Sequence, residues 1–178
     1  MLNVVAVMER DSWTRESWTD RGIIAEALAA FAGWHEQVRA ILAAIDETFV
    51  WALFDRAPLP RWSAGHTTLL GDACHAMLPF MAQGAAQAIE DGATLAACLR
   101  DVGSAEVPDA LRTYERLRLP RTTRLQELSR VNKTRFHLPD GPRQEARDRE
   151  MATSGDRTIA AIAWLYGHDA ERIGGATF

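Results

Sequence analysis

The stretch GDACHAMLPFMAQGAA, residues 71–86, decides the fold that this sequence predicts. It follows a short apolar segment, residues 67–70, that is typical of a strand, and it runs into an alanine-rich helix. Asp72 then lies at a strand end, and open α/β sheets bind ligands beyond the carboxyl ends of their strands. Gly84 begins the helix, where free N–H groups carry a partial positive charge. A carboxylate, a loop with Pro79 and a helix start together indicate a nucleotide-cofactor cradle.

The same stretch resembles the second FAD-binding motif of the single-component flavoprotein aromatic hydroxylases, and within them the salicylate hydroxylase-like members. The resemblance implies an α/β fold of the FAD/NAD(P)-binding type, in which Asp72 binds the ribityl chain of FAD. It also implies that the start of the helix lies at the pyrimidine edge of the flavin, with Pro79 beside the reactive carbon of the ring. The residues of this expected cofactor site share one loop and one helix start: Gly71, Asp72, Pro79, Gln83, Gly84, Ala85 and Ala86.

The residues alone leave a second interpretation of each feature. Asp72 is also a typical cap of a turn, and a helix start made of small residues also packs on a sheet. His75 is either a general base or, as the family pattern implies, a structural residue near the cofactor. Cys74 is expected to pack, because no His and acid partner it in sequence. No residue is therefore assigned as catalytic beyond the pocket-shaping Pro79, and no metal site is predicted.

The family opens with a strand and a GxGxxG turn that binds the ADP half of FAD, and no such turn occurs in these 178 residues. The resemblance therefore implies the C-terminal portion of an FAD-dependent monooxygenase that hydroxylates an aromatic substrate with NAD(P)H and O₂. An inactive truncated product, a flavin-binding module completed by a partner chain, and a non-hydroxylating FAD oxidoreductase of the same superfamily are the alternatives. The isolated chain is expected to be inactive, because it lacks the ADP-binding segment.

Apolar patterns predict two regions. The prolines at 58 and 60 interrupt the chain, so residues 1–62 are expected to be part of a substrate-binding domain. Residues 63–178 are expected to be the C-terminal part of the FAD-binding domain, with the Gly71-Asp72 motif and helices. The expected fold is therefore a partial substrate-domain sheet plus the C-terminal helices of the FAD domain. The predicted strands cover residues 2–8, 48–55 and 67–70, and the first of them is expected to be buried on both faces. The predicted helices cover residues 22–31, 38–45, 84–99 and 158–166.

A further helix is predicted from Pro108, which suits a first turn, with a kink or break at Pro120. Its arginines are expected to pair with acids. Arg118, Pro120 and Arg121 match a family pattern, YExxRxPR, that packs the FAD domain. Residues 143–150 are highly charged and are expected to be solvated, and residues 136–141, FHLPDG, fit the salicylate hydroxylase-like branch.

Composition narrows the class of protein. The net charge of −4 argues against non-specific nucleic-acid binding, and no apolar run approaches the roughly 20 residues that a membrane helix needs. Two cysteines do not indicate a disulfide framework, so a cytoplasmic location is expected. Strands that lack sheet neighbours recruit other chains. The chain alone is therefore expected to form homo-oligomers.

Overall fold

A computed structural model gives the fold of residues 2–10, 13, 17–153 and 157–172. The chain divides into two compact units, Met1–Leu53 and Phe54–Phe178. Helices dominate the described residues, and the regular sheet among them is a single two-stranded hairpin.

The first unit contains two short helices, α1 (Ile24–Ala30) and α2 (Glu36–Ala43). α2 begins where His35 accepts a hydrogen bond from the amide of Gln37, at 3.2 Å. Such a side-chain acceptor satisfies one of the N–H groups that a helix leaves free at its start. Both helices lie within one or two residues of their predicted ranges.

The strands predicted in the first unit are wrong as regular strands. Residues 2–8 form no regular strand with the other described residues, and most of their side chains are exposed. In residues 48–55, pairing is confined to an isolated antiparallel bridge between Arg21 and Phe49. An apolar run becomes a buried strand only when neighbouring backbone satisfies its N–H and C=O groups, and no neighbour among the described residues does so for residues 2–8.

The second unit begins with an antiparallel hairpin, β1 (Ser63–Ala64) and β2 (Thr67–Thr68), followed by the short helix α3 (Asp72–His75). The predicted strand over residues 67–70 is therefore shorter than expected, and its two paired residues are not buried. Two 3₁₀ turns, Pro79–Met81 and Ser104–Glu106, each precede a longer helix. The helices that follow are α4 (Gly84–Leu99), α5 (Val107–Phe136), α6 (Pro142–Thr153) and α7 (Arg157–Tyr166).

The core of the second unit forms where α4, α5 and the hairpin meet. Trp62, Cys74, Cys98 and Tyr114 form one buried apolar cluster. Glu115 of α5 fixes the hairpin, because its carboxylate accepts the amides of residues 62 and 63 at 2.9 and 2.7 Å. The segment that carries residues 71–86 is therefore held between a hairpin and two long helices.

The helices of the second unit follow the sequence closely. α4 has the predicted bounds, Pro108 lies in the first turn of α5, and α7 begins within one residue of the expected start. Of the kink or break predicted at Pro120, the break is wrong, because α5 continues through Pro120 as one helix. Packing along the whole helix outweighs the hydrogen bond that one proline removes. Residues 143–150 lie in α6, which is helical and has no buried residue.

The backbone at Gly71, which precedes α3, can be tested by substitution, with a glycine of α4 as the control. Gly71 has φ 61° and ψ −139°, and an added Cβ would lie 3.3 Å from the Cβ of Ala88. Gly71→Ala is therefore expected to lower the free energy of unfolding by about 1–3 kcal/mol. Gly92→Ala, in the open middle of α4, is the control and is expected to raise it by about 0.5–1 kcal/mol. Urea unfolding measures both, and equal shifts would contradict the strain at Gly71.

Candidate functional site

The structure brings the beginning of α3 against the first half of α4. Gly71 lies next to Ala88, and its amide donates to Asp91 Oδ2 at 3.0 Å. Asp72 follows directly, and its side chain is exposed. Among the described residues no hydrogen bond or ion pair to this carboxylate is found. Asp72 is therefore available to accept hydrogen bonds from a ligand.

The N-terminus of α4 is open. Gln83 precedes the helix, and no side chain of the described residues caps it. The first turn contains no acidic residue, and Ala85 is exposed. The 16-residue helix thus begins with unpaired backbone amides and the positive end of its dipole. This arrangement favours the binding of a negatively charged or carbonyl-bearing group of a ligand at the start of α4.

The turn before α4 is held from the side by α5. Pro79, exposed, begins the 3₁₀ turn, and Ala82 ends it in the left-handed region with φ 51°. Asn132 Nδ2 donates to the carbonyl of Phe80 at 3.0 Å. Gln83 is buried, and its side-chain carbonyl accepts from Gln87 at 3.3 Å. The predicted site residues therefore lie along one continuous segment that side chains of α4 and α5 hold in place.

A buried network of charged side chains on α4 and α5 holds this segment in place. Arg118, 1% exposed, donates from Nε to Asp91 Oδ1 at 2.7 Å and from Nη1 to Glu90 Oε2 at 2.6 Å. Arg121 donates to both oxygens of Glu90, at 2.7 and 2.8 Å. Arg118 Nη2 also donates to the side chain of Gln87 at 2.7 Å. Two carboxylates and two guanidinium groups thus balance in charge, which confirms for Arg118 and Arg121 the prediction that the arginines of α5 pair with acids. Arg116 instead contacts Thr113, and Arg124 lies over the ring of Trp164.

His75 belongs to the same network. Its side chain is fully buried, and its Nε2 lies 2.6 Å from Asp91 Oδ2. Its Nδ1 is buried without a partner among the described residues. This environment fits the structural role rather than a base that reaches a substrate.

Cys74 is buried in the apolar cluster, as predicted for a packing residue. Burial, reinforced by the negative charge of Asp91, raises the pKa of its thiol to about 12. Donor atoms of Cys74, His75 and Asp91 lie within 4.8 Å of one another. However, both oxygens of Asp91 already accept hydrogen bonds, and the guanidinium of Arg118 adjoins them. We therefore assign this cluster to the ion-pair network and not to a metal ion.

The sequence interpretation missed Asp91 as the group that holds Gly71. A signal was present: the buried positions of α4 are Gln87, Asp91, Thr94, Ala97 and Cys98, at helical spacing. A carboxylate on the buried face of a helix requires a buried partner. The partner, 27 residues away on α5, cannot be identified from spacing alone.

The network predicts a loss of stability in acid. Burial alone would raise the pKa of Asp91, but hydrogen bonds from His75, Arg118 and the Gly71 amide hold it below its ordinary value. The contribution of the Asp91 carboxylate to the free energy of unfolding is therefore complete above the unfolded carboxyl pKa of about 4. It is lost as the pH falls through the lower pKa of the folded state. Urea midpoints are expected to be flat from about pH 7 to 5 and to fall below about 4. Asp91→Asn is expected to flatten that fall, and an unchanged slope would exclude Asp91 as its source.

Comparison with known proteins identifies the class. Residues 3–129 match the FAD binding domain family. The chain belongs to this family, and the predicted fold class is confirmed, although its sheet is reduced to the hairpin among the described residues. The predicted identification with flavoprotein aromatic monooxygenases is likewise confirmed by the relatives that follow.

Proteins that this chain resembles over part of their length include aromatic monooxygenases. The chain is 46% identical to 3-amino-4-hydroxybenzoate 2-monooxygenase of Streptomyces platensis, over 98% of this chain and 43% of that protein. It is 50% identical to 6-hydroxynicotinate 3-monooxygenase of Pseudomonas fluorescens, over 60% of this chain and 28% of that protein. A solved salicylate hydroxylase substrate complex aligns with a TM-score of 0.76 and 28% identity, over 94% of this chain and 40% of that chain. The chain thus spans less than half the length of these relatives.

No helix in the described part of the chain is both long and apolar enough to cross a membrane.

Proposed function

We propose that this chain supplies the flavin-ring half of the cofactor site in an FAD-dependent monooxygenase that hydroxylates an aromatic substrate with NAD(P)H and O₂. The observation that carries this proposal is the open N-terminus of α4, with the exposed carboxylate of Asp72 on a backbone packed against the same helix. The family match over residues 3–129 supports it.

The residues present fit FAD in chemistry. Asp72 would accept hydrogen bonds from the ribityl hydroxyls, since its carboxylate is exposed. The amides of Gly84, Ala85 and Ala86 would face the pyrimidine edge, and the helix dipole would favour negative charge there. Gly71 and Gln83 would hold the two ends of this segment. When bound, the flavin supplies the redox chemistry between NAD(P)H and O₂.

The roles of the remaining residues follow from burial. Pro79 is exposed and rigid in φ, so it would shape the wall of the pocket and exclude water near the ring. His75 is buried and bound to Asp91, so it would keep α3 in place and would not take a proton from substrate. No residue of this chain is assigned as a catalytic acid or base.

The relatives indicate the substrate class. 3-Amino-4-hydroxybenzoate, 6-hydroxynicotinate and salicylate are all aromatic rings that carry a hydroxyl and a carboxylate. We therefore infer a hydroxylated aromatic carboxylate as substrate. Residues 1–62 would belong to the substrate-binding domain and residues 63–178 to the FAD-binding domain, in a cytoplasmic enzyme.

The isolated chain is proposed to be inactive and to bind FAD weakly, because it contains no GxGxxG turn for the ADP half. The exposed apolar side chains of the first unit, among them Trp18 and Ile23, favour self-association of the chain alone. Sedimentation at low micromolar concentration measures that association.

The experiment joins this chain to the part of the Streptomyces platensis relative that this chain does not cover. We expect the chimera to be yellow with bound FAD and to oxidise NADH faster in the presence of 3-amino-4-hydroxybenzoate, with a hydroxylated product. The unjoined chain is the control and is expected to be colourless. A folded chimera without FAD would refute the proposal. Flavin reduction without any hydroxylated product would instead favour a non-hydroxylating oxidoreductase.

A further inference from the structure

One stripe of α5 faces the loop that precedes α4. Gln126, Ser129 and Asn132 follow at intervals of three residues, which keeps them on neighbouring positions of one helix face. Gln126 and Ser129 are buried, and Asn132 is half-buried. Polar side chains at buried positions need partners, so their contacts indicate what this stripe does.

The contacts tie both ends of the loop to α5. Gln126 Nε2 donates to the carbonyl of Ala76 at 3.0 Å. Asn132 Nδ2 donates to the carbonyl of Phe80 at 3.0 Å and lies 3.1 Å from Met81 Sδ. Ser129 lies between them, and its buried Oγ has no hydrogen-bond partner among the described residues.

The end of α5 adds aromatic contacts to the same turn. The ring of Phe80 packs edge-on against Phe136, with centroids 6.2 Å apart, and against His137, at 5.2 Å. Phe136 and His137 begin the FHLPDG segment, which the proposed function leaves without a role. The turn itself closes through a hydrogen bond from the Ala82 amide to the Pro79 carbonyl, at 2.9 Å.

The turn needs such support. Ala82 has φ 51°, a left-handed conformation that costs a non-glycine residue free energy unless its surroundings hold it. We propose that Asn132, Phe136 and His137 form a clamp that positions the Pro79–Met81 turn, and through it Pro79 and the open start of α4, for the flavin. Asn132 is the positioning residue of this clamp. The part that concerns the flavin rests on the proposed function, whereas the clamp on the turn does not.

The first experiment uses this chain without FAD and follows hydrogen exchange of the Ala82 amide by NMR. Asn132→Asp keeps the shape of the side chain but replaces the donor with a carboxylate that faces the Phe80 carbonyl. We expect Ala82 to exchange about tenfold faster, as the loss of roughly 1.4 kcal/mol predicts. Ser129→Ala is the matched control, since it removes a hydroxyl without a partner from the same face, and it should leave Ala82 unchanged.

The second experiment places each substitution separately in the chimera with the Streptomyces platensis relative and records the visible spectrum and affinity of bound FAD. Asn132→Asp is expected to shift the flavin absorption bands and to weaken FAD binding about tenfold, while the thermal midpoint stays close to that of Ser129→Ala. A merely structural role would lower the midpoint and leave the spectrum of the remaining bound flavin unchanged.

The outcomes separate the clamp from the proposed function. Equal Ala82 exchange in both variants, or faster exchange throughout α4 and α5 in Asn132→Asp, would overturn the clamp. Faster Ala82 exchange with an unchanged flavin spectrum and affinity would overturn its role toward the cofactor. If the unsubstituted chimera binds no FAD, the proposed function fails, and the exchange of Ala82 still decides the clamp.

Discussion

Arg118→Met is expected to lower the free energy of unfolding by about 3–5 kcal/mol. The guanidinium is 1% exposed and donates to Asp91, Glu90 and Gln87. Methionine fills much of the volume but leaves the Asp91 carboxylate buried with one charged partner fewer. An uncompensated buried charge costs far more than the lost packing of a side chain. Urea unfolding followed by circular dichroism measures the difference.

Arg116→Met is the matched control for this prediction. Arg116 lies on the same helix, is exposed, and makes a 3.4 Å contact with Thr113. Its replacement is expected to change the free energy of unfolding by no more than about 0.5 kcal/mol. If both substitutions destabilised the chain by a similar small amount, the buried network would not be what holds α4 against α5.

Asp72→Ala is expected to weaken FAD binding in the chimera by roughly 10- to 150-fold, which corresponds to about 1.5–3 kcal/mol for hydrogen bonds to a charged acceptor. The chain should keep its stability, because the Asp72 side chain is exposed. Asp72→Asn keeps one carbonyl acceptor and loses the charge, so an intermediate loss of affinity is expected. Flavin fluorescence titration measures all three proteins.

Asp140→Ala serves as a control for the same titration, since Asp140 is an exposed aspartate outside the predicted cofactor site. Its FAD affinity should equal that of the unsubstituted chimera. An Asp72→Ala variant that is folded and binds FAD with unchanged affinity would place the ribityl-binding group elsewhere.

The sequence predicted helices better than strands for a physical reason. The bounds of α4 follow from local properties, because alanine favours helix at every position and the helical spacing of the buried residues needs no distant partner. Residues 2–8 have equally strong apolar character, yet a strand depends on backbone partners elsewhere in the chain. Local pattern therefore indicated the tendency of that segment but not its pairing.

The residues of the candidate site also differ in whether local sequence can identify them. The start of α4 at Gly84 was predicted from residues that are adjacent in sequence, whereas Asp72 was expected at a strand end and lies instead in the first turn of α3. The groups that hold them in place, Asp91 and Asn132, act across 20 and 52 residues through hydrogen bonds to the backbone. A side chain that recognises a carbonyl or an amide imposes no residue type on its partner, so the sequence does not identify which residues pair.

The charge balance between α4 and α5 also constrains how the sequence can diverge. A descendant that replaces Arg118 alone, or Asp91 alone, passes through a protein whose buried charges no longer balance. Both positions can become apolar only when the two substitutions occur together, or when a change at Glu90 or Arg121 has first restored the balance of buried charge. Natural variation at these sites, which lie on different helices, should therefore be correlated, and either site should vary less freely than its exposed neighbours.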